Sequence, residues 1–61
     1  MKQKEKLILR FLKEHGRSST TKIAFTINSN IWRAKEYLDE LKNKGKVTCE
    51  KGINTFYWEF R

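Results

Sequence analysis

The sequence has few of the residues that cross-link small domains through disulfides or bound metal ions. Among its 61 residues are one cysteine (Cys49), one histidine (His15) and no proline. A disulfide needs two cysteines, and a structural zinc ion needs four ligands that are usually Cys and His, so neither can be the scaffold. The hydrophobic core must therefore hold the fold by itself. A lone cysteine also fits a reducing compartment.

Long apolar runs are missing as well. None approaches the ~18 residues of a membrane span, and no hydrophobic signal segment follows the N-terminus. We therefore expect a cytoplasmic protein with no membrane partner, and a single domain over residues 1–61. Such a chain has little room for an enclosed pocket of roughly 300 Å³. No paired carboxylates, metal cluster or nucleophile–base set appears, so we predict no enzyme, no metal, no cofactor and no small-molecule ligand.

The chain carries an excess of positive charge. It carries 14 Lys and Arg against 7 Asp and Glu, a net charge of +7. Basicity of this size is typical of proteins that bind a polyanion. The surplus is uneven, because residues 1–22 carry a net +5 whereas residues 33–40 carry −1.

Apolar periodicity predicts three helices. The first spans residues 3–15 and ends at Gly16, and its apolar arc contains Leu7, Ile8, Phe11 and Leu12. A short second helix follows the hydroxyl-rich residues 17–21 and directs three residues to the core: Ile23, Ala24 and Ile27. The third runs from about Ile31 to Lys44, and its apolar stripe contains Ile31, Ala34, Leu38 and Leu41.

After the third helix the apolar residues alternate with polar ones, as expected for the two strands of a β-hairpin. Val47 and Cys49 alternate with polar residues, and residues 51–54 form a turn. Phe56, Trp58 and Phe60 alternate in a second strand. We expect these three aromatic side chains to close the core over the helices.

This order of elements resembles the winged helix-turn-helix family. Many bacterial and archaeal winged-helix regulators share an Ala, an apolar residue and a turn, followed by a helix that ends in Leu-x-x-x-Gly-x-Val. This chain has matching residues at those spacings: Ala24, Ile27, Asn28, Leu41, Gly45 and Val47. The resemblance implies an α+β fold of three helices followed by a two-stranded β-hairpin wing. It also implies double-stranded DNA as the partner and transcriptional regulation as the role.

The chain departs from the family pattern at its turn, where Asn28 replaces a usual Gly and Ser29 a usual apolar residue. The ending of the chain is also similar to the Z-DNA-binding variety of winged helix. That variety has Asn and Tyr ten and six positions before the glycine, where this chain has Lys35 and Asp39. The residues specific to Z-DNA are therefore missing.

In a helix-turn-helix, the N-terminal residues of the second helix of the motif reach base edges in the major groove. The resemblance therefore implies DNA contacts from Ser29, Asn30, Trp32, Arg33, Lys35 and Glu36. Arg33 suits guanine, Asn30 suits adenine, and Glu36 suits the amino group of cytosine. Phosphate contacts are expected from two other segments. These are the second-helix entry (Thr20, Thr21, Lys22) and the wing (Lys46, Lys51, Asn54).

Other functions remain open. Glu36, Asp39 and Glu40 put acid on the DNA-facing helix, and Trp32 is expected to be exposed. Both observations favour a protein-interaction module within a larger assembly. RNA binding through the same basic surface is the other alternative. Many winged-helix regulators bind as homodimers, for which the candidate contacts are Leu9, Phe25 and the edge of the last strand.

Overall fold

The computed structural model describes residues 2–61. Its elements follow the order α1 (Gln3–His15), β1 (Ser18–Ser19), α2 (Thr20–Thr26), α3 (Ile31–Asn43), β2 (Val47–Lys51) and β3 (Phe56–Phe60). The three predicted helices and both predicted strands are confirmed, with boundaries within a residue or two. None of the helices in this part of the chain is both long enough and apolar enough to cross a bilayer.

Local chemistry explains where the helices begin and end. The hydroxyl of Ser19 accepts a hydrogen bond of 3.2 Å from the Lys22 amide and caps α2. Asn28 has a φ of 56°, the left-handed conformation that Asn tolerates better than most residues. The side chain of Asn30 accepts a 2.8 Å bond from the Arg33 amide and caps α3. Asn28 therefore supplies the backbone conformation of the turn between α2 and α3, and Asn30 caps the helix that follows it.

The sheet has three strands, which corrects the predicted two-stranded hairpin. The strand order is β1-β3-β2, with both pairings antiparallel. Ser18 pairs with Trp58 and Ser19 with Tyr57, because the extended backbone that leads into α2 runs beside β3. The last strand is therefore central, and part of the edge that we considered for a homodimer is covered by β1.

The core lies between the helices and the sheet. Its buried members are Ile8, Leu12, Ile23, Ala24, Ile27, Ala34, Leu38, Leu41, Val47 and Trp58. The prediction for the last strand was right for Trp58 alone, since Phe56 and Phe60 are 37% and 40% exposed. Both stand at the ends of β3, whereas Trp58 lies at its centre. Cys49 is half-buried and packs against the core.

Helix α1 buries a residue that apolar periodicity does not select. Glu5 is fully buried together with Ile8 and Leu12. Its carboxylate accepts a bond from the Lys2 amide at 3.2 Å and lies 3.5 Å from the Lys44 ammonium group. Leu7, which was expected on the core face, is exposed instead. Ile31 of α3 was also expected in the core and is exposed.

Candidate nucleic-acid interface

The N-terminal half of α3 and the tip of the wing share one groove. A cavity of about 330 Å³ separates Ile31 and Lys35 of α3 from Ile53 and Asn54 in the β2–β3 loop. The Lys35 ammonium group lies 5.5 Å from the centre of the Phe56 ring at the start of β3. The N-terminal half of α3 and the wing tip therefore line the same side of the molecule.

The outward face of α3 carries Trp32, Glu36 and Asp39. These positions lie opposite the buried stripe of Ala34, Leu38 and Leu41. The Trp32 side chain is 77% exposed, as the sequence predicted. Its neighbour Glu36, one helical turn further, has no ion-pair partner among residues 2–61. This face presents an aromatic ring and a free carboxylate.

Basic residues lie on both sides of that face. Lys35 is on the wing side, together with Lys51. On the other side, Arg33 lines a second groove with Lys4 of α1. The Lys4 ammonium group donates to the carbonyl of Ile27 at 2.5 Å, which holds it beside the turn. Sequence reasoning missed Lys4, because no local pattern links the first turn of α1 to the α2–α3 turn.

Two of the predicted base-contacting residues also stabilise the turn that precedes α3. The Asn30 side-chain oxygen caps α3, so its amide NH₂ group is the part left to contact a base. Ser29 is half-buried, and its amide donates to the Ala24 carbonyl at 2.9 Å. Arg33 and Lys35 are exposed, like Trp32 and Glu36.

The second-helix entry divides into one buried and two exposed side chains. Thr20 is buried, and its hydroxyl accepts a 2.8 Å bond from the Trp58 indole and donates to the Phe56 carbonyl at 3.1 Å. The hydroxyl proton of Thr20 is thereby used within the fold and is not available to a phosphate, so the predicted contact of Thr20 stays a prediction for its backbone N–H alone. Thr21 and Lys22 are both exposed at the surface.

The predicted wing residues lie at opposite ends of the hairpin. Lys51 ends β2 and Asn54 lies in the tip loop, whereas Lys46 precedes β2 at its far end. A five-residue strand is about 16 Å long, so Lys46 lies well away from the groove. Ile53 at the tip is almost fully exposed, which the turn pattern did not suggest.

Ion pairs neutralise much of the acid on α3. The Lys35 ammonium group lies 3.4 Å from the Asp39 carboxylate. Glu40 lies 3.4 Å from Lys44 and 3.6 Å from Lys2. A side-chain hydrogen bond with the neighbouring Glu5 carboxyl, and then the charges of Lys2 and Lys44, hold the pKa of Glu40 below its ordinary value. Glu36 is thus the carboxylate of this helix that no ion pair within residues 2–61 neutralises.

The model of the family described as FaeA-like protein matches residues 1–61 of the chain. No curated protein matches the chain.

Among solved structures, the Zalpha domain of PKZ from Carassius auratus, in complex with Z-DNA, is 24% identical. The match covers 97% of this chain and 94% of that one, with a TM-score of 0.88. YusO from Bacillus subtilis has a TM-score of 0.93 and 16% identity over 100% of this chain and 45% of that one. A cysteine-to-serine mutant of ZitR from Lactococcus lactis, in complex with DNA, has a TM-score of 0.88 and 19% identity over 100% and 43%.

These similarities show that the fold is a winged helix, as the sequence predicted. This chain spans less than half the length of YusO and ZitR. Lys35 and Asp39, which occupy the two positions compared with the Z-DNA-binding variety in the sequence, form an ion pair with each other at 3.4 Å.

Proposed function

Because the chain belongs to the FaeA-like protein family and folds as a winged helix, we propose that it binds double-stranded DNA as a transcriptional regulator. The observation that carries the proposal is the shared groove of α3 and the wing tip, which brings Lys35 and Lys51 to one surface. A net charge of +7 supports the choice of a polyanion as partner. Such a protein would act in the cytoplasm, on the nucleoid of a prokaryote.

The binding mode that we propose places α3 in the major groove, which is about 12 Å wide. Its exposed face meets base edges, while Arg33 and Lys35 on either side meet phosphates or the outermost bases. Lys22 and Thr21 at the start of α2 contact the backbone that α2 crosses. At the wing tip, Lys51 and Asn54 contact the next stretch of backbone or the minor groove.

Sequence preference in this mode depends on few side chains. The guanidinium group of Arg33, which forms no ion pair within residues 2–61, can hold the two acceptors of guanine. Glu36 can accept a hydrogen bond from the amino group of cytosine, and a carboxylate at this place disfavours a phosphate. The amide NH₂ of Asn30 and the hydroxyl of Ser29 complete the set. Affinity then comes from the basic flanks, and specificity from this central face.

A second candidate is a protein-interaction module, and exposed aromatic residues favour it. Trp32 is 77% exposed and Phe25 is 87% exposed, and large exposed apolar side chains are common in protein interfaces. Phe25 is also the most exposed of the dimer contacts considered, since Leu9 packs against the core and part of the β3 edge is covered. RNA binding through the basic surface is a third candidate.

Titration of a labelled DNA duplex at two salt concentrations, followed by fluorescence anisotropy, tests the proposal. We expect saturable binding that weakens steeply with salt, with a slope that corresponds to roughly six neutralised phosphates. Single-stranded RNA of the same length is the matched probe. Tighter binding of the RNA, or no binding of duplex at low salt by protein that circular dichroism shows to be folded, would contradict the proposal.

A further inference from the structure

An apolar cleft lies between α2 and α3 on the surface proposed to bind DNA. Phe25 of α2 and Trp32 of α3 form its walls, and Ala24 and Ile31 contribute to its lining. Its volume is about 360 Å³. Both aromatic rings are mostly exposed, so the cleft is open to a partner. We call it the Phe25–Trp32 cleft.

The charges around the cleft have a definite arrangement. Lys22 lies one turn before Phe25 on α2, and Arg33 directly follows Trp32. Glu36 lies one turn after Trp32 and has no ion-pair partner in the described part of the chain. The centre of the surface is thus apolar and acidic, and the margins are basic.

This arrangement matches the floor and the rims of the major groove. Phosphates lie along the rims, where basic side chains meet them, and base edges form the floor. A phosphate does not suit the centre, because Glu36 repels it and the aromatic rings offer it no hydrogen bond. A second copy of the chain carries the same net charge of +7, which opposes its approach to this surface. The floor of the groove is therefore the occupant that charge favours.

The apolar group that base edges present in the major groove is the C5-methyl of thymine. We propose that the Phe25–Trp32 cleft receives the C5-methyl group of a thymine in the target duplex. The proposal rests on the proposed DNA binding and names one type of base that the protein contacts. The methyl group leaves water and packs between two rings, which corresponds to about fourfold tighter binding for one buried methyl.

Replacement of thymidine by deoxyuridine tests this directly, because uracil lacks only the methyl group and keeps every hydrogen bond of thymine. A duplex is first selected by the full chain from a random pool, and each thymidine is then replaced in turn. We expect one or two positions at which the replacement weakens binding about three- to fivefold. In Trp32→Ala and Phe25→Ala, the same replacement should have no effect. Leu7→Ala, an exposed apolar position of α1 outside the cleft, should keep the difference.

The outcomes separate this proposal from the proposed function. Equal binding of the thymidine and deoxyuridine duplexes by the unaltered protein would overturn the thymine contact and leave DNA binding intact. Failure to select any duplex would overturn the proposed function itself. A methyl effect that survives in both cleft variants would overturn the assignment to this cleft. Self-association of the free protein that Trp32→Ala abolishes would assign the cleft to a second copy and overturn the proposal.

Discussion

The indole nitrogen of Trp58 donates a buried hydrogen bond of 2.8 Å to the hydroxyl of Thr20. The same hydroxyl donates to the carbonyl of Phe56 at 3.1 Å. Thr20 opens α2, and both partners belong to β3, so one side chain joins the helix-turn-helix to the wing. The two parts of the proposed interface are thereby held in a fixed relation before any partner arrives.

Thr20→Val should destabilise the fold. Valine keeps the shape but leaves the Trp58 N–H buried without an acceptor, which costs about 1–3 kcal/mol. Urea unfolding followed by circular dichroism measures the change. Thr21→Val is the matched control, because its side chain is exposed and should change stability by less than about 0.5 kcal/mol. If both variants unfold at the same urea concentration, the Trp58–Thr20 bond does not have this role.

Arg33→Ala should reduce sequence preference more than affinity. Loss of a bidentate contact to guanine costs about 1–3 kcal/mol at one base pair and makes the alternatives at that position nearly equal. The measurement compares the selected duplex with single-base variants of it. If Arg33→Ala weakens all duplexes by one common factor, Arg33 contacts the backbone and not a base.

Lys51→Ala should weaken all duplexes alike and reduce the salt slope by about one. Lys46→Ala is the matched control, because it removes the same charge from the other end of β2. We expect a distinctly smaller effect from Lys46→Ala, since Lys46 lies about 16 Å from Lys51, at the end of β2 away from the tip. Equal effects from the two substitutions would mean that net charge, and not the position of the wing tip, determines affinity.

Acid should destabilise the protein partly through Glu40. Its folded-state pKa is lowered from 4.5 by the neighbouring Glu5 carboxyl and by Lys2 and Lys44. The corresponding stability is present above pH 4.5 and is lost as the pH falls through the lowered folded value. Thermal unfolding against pH should therefore decline less steeply for Glu40→Gln than for the unaltered chain. Glu59→Gln, at an exposed carboxylate of β3, is the control, and parallel curves for all three would contradict the assignment.

Elements with a repeating local pattern could be predicted from the sequence. The three helices show apolar periodicity, and residues suited to capping mark their boundaries, such as Asn30 at the start of α3. Strand β1 could not be predicted, because two residues cannot show a period and the pairing with Trp58 is distant in the chain. The burial of Glu5 was missed for a similar reason, since its ion-pair partner Lys44 follows α3 and is distant in the chain.

The candidate site was predictable only to the level of segments. The resemblance to winged helices indicated α3, the start of α2 and the wing, and the structure brings α3 and the wing tip together at one groove. The resemblance to winged helices could not show that Thr20 is buried by contacts with β3, or that Lys46 and Lys51 lie at opposite ends of β2. Those facts depend on the packing of distant segments.

Amide chemical-shift mapping of the full chain, titrated with a DNA duplex at low salt, tests the central proposal most directly. We expect the largest changes at Trp32, Arg33 and Glu36 and at the wing residues Lys51 and Asn54. Added salt should reverse these changes, and the end of α1 near Lys13 should stay unperturbed. Changes centred on α1 or on Lys46, or no change at all, would contradict it.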